Sequence, residues 1–251
     1  MSVPITLLVI IGNGEISRTT QFVVSYFHCK VCFHMNIPFL ESARGVSFDW
    51  HIVQTMKWLE FDGGRRLDST LVYAAVELRA AIERYIFELL YLLKEGNLSP
   101  SEQSRCRSIT GMFTLMKETD PFYRKTIEFT KLVVSLSPGL PEVTMVDTAY
   151  LNRKWRDLSE YCHMQFHPEE TFTSIGRKFQ EAGFVLIHEV LEKFKKWKVE
   201  SNCAILARSS LPEEVKDVYD RFIREEIDPG QARRMLILME PVLQARLNSR
   251  Q

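Results

Sequence analysis

No stretch near the start of this sequence is apolar for long enough to cross a membrane. The initial run, Ile5 to Ile11, is about half of what a spanning helix requires and has no basic segment before it. It reads as a buried strand, and the chain as cytoplasmic. An excess of charge is also missing. Lys and Arg number 32 and so do Asp and Glu, so no global field draws the molecule to nucleic acid or an anionic membrane. Any contact with RNA or phosphate must be local. Five cysteines at irregular spacing, an odd number without an export signal, exclude an obvious disulfide framework and fit a reducing compartment. Gly12-Asn13-Gly14 follows an apolar run, but a third glycine and a Gly-Lys-Ser/Thr are both absent, so a hairpin turn explains it better than a phosphate-binding loop. Internal repeats and low-complexity tracts are absent too.

What is present is core-forming material: 45% of the 251 residues are hydrophobic, enough for one large domain or a main domain with an addition. The organisation changes near residue 65. Before it, Ile5 to Ile11, Thr19 to Phe27 and Val31 to Ile37 are short runs rich in Val, Ile, Thr and Phe, the pattern of a small antiparallel sheet. Ser47 to Leu59 fits a short helix or another strand equally. After Asp62-Gly63-Gly64 the spacing turns helical, with a cap at Asp68 or Ser69 and a long helix to Gly96.

Punctuation bounds the later helices. Ser99-Pro100 opens one that ends near Thr119, Asp120-Pro121 opens another that ends near Ser137, and Asp147 caps a third that stops at His167-Pro168. Pro168 begins a fourth, through Phe194. Leu211 to Glu226 and a final helix after Asp228-Pro229-Gly230 form a C-terminal helical hairpin, packed on the bundle or used by another protein. The expected fold is therefore α+β: a β-rich N-terminal module over 1–64, a helical bundle over 65–200 and the hairpin over 201–251.

Chemistry concentrates in the third helix of this series. At about 100° per residue, Leu151, Trp155, Leu158 and Cys162 fall on one stripe, while Arg156, Glu160, His163 and His167 fall roughly opposite. An Arg and a His thus point together, away from the core. Imidazole exchanges protons near neutral pH, and a guanidinium fork suits phosphate oxygens. The plainer alternative is that Arg156 and Glu160 form an ordinary i,i+4 ion pair on a solvated face that His163 extends.

The segment Arg156-Asp157-x5-His163, six residues between Arg and His, behind a long helix carrying Glu77, Arg79, Glu83 and Arg84, resembles the HEPN superfamily over about residues 65 to 198. Its ribonucleases carry an Arg, usually a polar residue next, and a His four to six residues on. The resemblance implies a HEPN-like bundle and metal-independent cleavage of RNA by the ribose 2′-hydroxyl. His163 would be the base or acid and Arg156 the phosphate clamp, with Asp157, Glu160, Arg79 and Glu83 supporting. It implies a site built from two protomers, hence a homodimer, and a toxin-like or defence role with an antitoxin as protein partner. No cofactor is implied. The alternative function is a non-catalytic helical protein that binds a nucleotide or a partner.

One further cluster, His28, Cys29, Cys32 and His34, offers four soft-metal ligands within seven residues. In a continuous strand Cys29 points opposite to Cys32, and no second ligand pair follows at a familiar spacing, so buried thiols explain it better and no metal is expected. Arg65-Arg66, Arg105-Cys106-Arg107 and Arg233-Arg234 read as scattered surface pairs.

Overall fold

The structure, a computed structural model, describes residues 48–136, 143–162, 174–197 and 205–248. Eight α-helices are formed among them: α1 Phe48–Asp62, α2 Asp68–Leu93, α3 Pro100–Arg105, α4 Ile109–Ser135, α5 Thr148–Ser159, α6 Ser174–Lys195, α7 Glu213–Ile223 and α8 Pro229–Asn248. The α+β expectation is overturned. Among the described residues there is no strand, and the regular structure is helical throughout. The ambiguous segment before Gly63 is a helix, because one of its sides packs on a neighbouring helix: the Phe48 ring meets Tyr85 edge-on at 5.3 Å and Trp58 stacks on Tyr73 at 4.7 Å. The three runs read as an antiparallel sheet lie outside the described residues, as do Gly12, Asn13 and Gly14.

The change expected near residue 65, from a β-rich module to helices, is not found: residue 65 lies in a turn between two helices, α1 and α2. Gly63, Gly64 and Arg66 all have positive φ, which glycine adopts without strain. Asp62, 3% exposed, holds the turn by accepting the backbone N–H groups of Arg66 and Leu67 at 2.9 and 2.8 Å. Burial pushes its carboxyl up, but the N–H groups of Leu67, Arg66 and Gly64 outweigh that and leave it below the usual range.

Asp120-Pro121 does not open a helix. Instead α4 runs through Pro121 from Ile109 to Ser135, and Asp120 turns its carboxylate to Arg124 at 2.6 Å rather than capping the backbone. The earlier break is at Arg107-Ser108, where the Ser108 hydroxyl accepts the Gly111 N–H at 3.1 Å.

The described chain divides into two compact units. One comprises residues 48–119, 146–162 and 174–197. In it α2 is the central helix, with Ala74, Leu78, Ala81, Ile82, Ile86 and Leu90 fully buried, and α1, α5 and α6 pack against it. Of the described residues, the other comprises 120–136, 143–145 and 205–248. Its core joins Phe129 and Val133 of α4 to Leu211, Val215, Val218, Tyr219 and Phe222. The expected hairpin of the last two helices is formed by α7 and α8, and the Asp228 carboxylate caps α8 by accepting from Gln231 N–H at 2.8 Å.

Candidate functional site

Asp147 caps α5, as expected, accepting the Tyr150 N–H at 2.8 Å. Leu151 and Leu158 are fully buried and orient the helix. Trp155, assigned by spacing to the same apolar stripe, does more than fill space. Its indole N–H donates to Glu83 Oε1 at 2.8 Å, and the Arg79 guanidinium lies 4.7 Å from its ring centre. Arg79 also donates to Glu83 at 3.2 Å. Arg79 and Glu83 therefore meet α5 through Trp155, a connection that sequence spacing missed. An indole on a core stripe needs an acceptor when buried, and that requirement was the available signal.

Beside this cluster, burial pushes the Cys162 thiol up, with Arg79 pulling it partly back. A thiol held protonated is a poor nucleophile. On the opposite flank of α5, Glu189 of α6 accepts from Lys154 at 2.8 Å and from Tyr150 at 3.1 Å. Lys154 holds the Glu189 carboxyl below its usual range, and burial followed by the Glu189 contact pushes the Tyr150 hydroxyl upward. Helix α5 is thus fastened on both sides.

Its outer face is left to solvent. Arg153, Arg156, Asp157 and Glu160 are exposed there. Asp157 lies 3.8 Å from Lys154. Arg156 and Glu160 do not form the i,i+4 pair that the sequence allowed, and neither Arg156 nor Arg153 has an ion pair with another described residue. The helix closes one residue before Glu160, which is its C-cap, and Glu160, Tyr161 and Cys162 each bond back three residues rather than four. Ideal helical phase therefore carries only as far as Ser159. His163 and His167 lie outside the described residues, as do His28, Cys29, Cys32 and His34. Among the described residues no group of three or more His, Cys, Asp or Glu is placed to hold a metal ion, and no helix is long and apolar enough to cross a membrane.

No protein family, curated protein or solved structure matches the chain. The likeness to HEPN stands on Arg156, the residue pattern around it and the helix order alone.

Proposed function

We propose that the unit carrying α5 binds a phosphate-bearing ligand through Arg156, and that the ligand is RNA, cleaved without a metal in the manner of HEPN ribonucleases. One observation carries the reading. Arg156 is held outward on a helix fastened at both flanks, and its guanidinium has no ion pair among the described residues although Asp157 and Glu160 share its face. A planar fork in that state is set up to take phosphate oxygens in pairs. In this reaction His163 moves the proton and Arg156 stabilises charge gathering on the phosphate. Glu83 and Arg79 position α5 by way of Trp155. The site is completed by a second protomer, and the protein acts in the cytoplasm as a toxin-like or defence nuclease restrained by a protein partner.

Incubating the purified protein with structured and unstructured RNAs in the presence of a chelator tests this. Arg156→Ala and His163→Ala are expected each to abolish cleavage, and the growth toxicity that follows from it. Arg156→Ala should leave thermal stability within about 0.5 kcal/mol, the usual range for surface substitutions. Cleavage that survives in both folded variants sinks the proposal.

A further inference from the structure

The end of α5 is attached to two neighbouring helices. The Tyr161 ring stacks on Phe179 of α6, the ring centres 4.5 Å apart and the planes at 28°, and its edge lies on Gly183, one turn further along the same helix. A Cβ on Gly183 would stand 2.7 and 2.8 Å from Cε1 and Cδ1 of that ring and 2.8 Å from Cδ1 of Leu71 on α2, well inside the distance at which carbon atoms rest against one another. Gly183 is buried in the interior of α6, where glycine is a poorer helix former than alanine. Its missing side chain is what lets the ring lie against the helix. Cys162 comes next, its thiol donating to the Leu158 carbonyl at 3.3 Å with the Arg79 guanidinium of α2 beside it. His163 follows Cys162 directly in the sequence, and consecutive Cα atoms are about 3.8 Å apart. The chain therefore enters His163 from a point tied to α6 and α2.

We infer that Tyr161 and Gly183 are positioning residues for His163, the glycine leaving a slot on α6 and the ring filling it, so that the chain reaches the imidazole at a fixed place relative to Arg156. This rests on the proposed RNA cleavage, in which Arg156 and His163 must meet one phosphodiester together. A proton is transferred only within hydrogen-bond reach, and a misplacement on the order of 1 Å costs about a hundredfold in rate. Helix α5 carries both parts of that requirement. Arg156 stands within it, and Tyr161 fixes its last turn, where the N–H groups of Glu160, Tyr161 and Cys162 bond back to Asp157, Leu158 and Ser159. Tyr161 does not move the proton itself. Burial first, then the Glu160 and Asp157 carboxylates, push its hydroxyl up, so it keeps its proton in the range where an imidazole exchanges one.

Single-turnover cleavage of RNA by the full chain, with a chelator present, tests this beside binding of a 2′-O-methylated copy of the same RNA, which offers no 2′-hydroxyl to attack. The atoms that Gly183→Ala displaces belong to side chains, so that variant is expected to fold. Tyr161→Ala frees the end of α5 without adding an atom. Each should bind the methylated RNA with wild-type stoichiometry and affinity, since the Arg156 face is untouched, and cleave roughly ten- to a hundredfold more slowly. Tyr161→Phe keeps the ring and should cleave at close to the wild-type rate. Gly183→Ala combined with Tyr161→Ala should cleave no more slowly than Tyr161→Ala alone, because the glycine acts only through the ring. Wild-type rates in both single variants overturn the inference and leave RNA cleavage standing. So do losses that multiply in the double variant, a Tyr161→Phe as slow as Tyr161→Ala, and a rate lost only in proportion to binding stoichiometry, which marks a merely structural contact. A wild type that cleaves no RNA removes the proposed function, and this inference with it.

Discussion

Glu102 serves two helices at once. Its carboxylate accepts the Ser99 N–H at 2.8 Å while its own N–H donates to the Ser99 hydroxyl, closing a capping box on α3, and its other oxygen meets Lys94 at 2.9 Å just past the end of α2. Lys94 first, then Ser99, hold the carboxyl down at about 2 against an ordinary 4.5. A carboxyl depressed on folding contributes its stability fully above the unfolded value and loses it as pH falls from 4.5 through 2. Glu102→Gln should flatten that part of the acid-unfolding profile while differing little in slope above pH 5. Parallel profiles for the two proteins below pH 4.5 count against the assignment. Trp155 allows a similar separation of roles. Trp155→Phe keeps a ring beside Arg79 but takes the indole N–H away from Glu83, and it should cost about 1 kcal/mol in urea unfolding, the usual net worth of one hydrogen bond to a half-buried acceptor.

At the scale of elements, most caps were legible and continuity was not; the cap expected at Asp68 or Ser69 fails, since α2 is preceded by Leu67 and no side chain caps it. Asp147, Ser99-Pro100 and Asp228-Pro229 mark true helix starts, because each signal is a side chain bonding its own nearby backbone and needs nothing from the rest of the molecule. Asp120-Pro121 has the same local form and marks no start, since Met116 and Tyr123, buried on either side of it, favour one helix through the proline. The Arg156 face was legible only to the end of α5. Periodicity placed Arg156 outward but could not foresee that the turns beyond Ser159 tighten, nor that the Glu160 pair would be left unmade. Two substitutions test the α4 geometry. Pro121→Ala returns an N–H to the Lys117 carbonyl and should stabilise the protein by about 1–2 kcal/mol, the helix gain exceeding the entropy returned to the unfolded chain. A loss of stability instead means that a helix begins at this proline. Gly111→Ala should destabilise by about 1–3 kcal/mol, because its Cβ would stand 2.2 Å from the Arg105 carbonyl oxygen and backbone must shift. An unchanged denaturation midpoint in that variant refutes the close approach at the start of α4.

Charge at the scale of the whole chain limits how the RNA proposed as ligand could be held. With 32 basic and 32 acidic side chains there is no surplus to gather a polyanion at a distance. The outer face of α5 is itself balanced, Arg153 and Arg156 standing with Asp157 and Glu160. Binding through this face must come from a few guanidinium–phosphate contacts at close range and not from a basic stripe. Salt dependence distinguishes the two. Each phosphate neutralised on a single strand contributes about −0.7 to the slope of log affinity against log salt. Arg153 and Arg156 together thus give a slope of about −1.4 per protomer and a loss of roughly sevenfold between 50 and 200 mM salt. Arg153→Ala should reduce that slope by about half while leaving the fold intact. A slope several times steeper, unchanged in Arg153→Ala and Arg156→Ala, means that the RNA lies along other cations such as Arg233 and Arg234 of α8, and the phosphate site on α5 is then the wrong one.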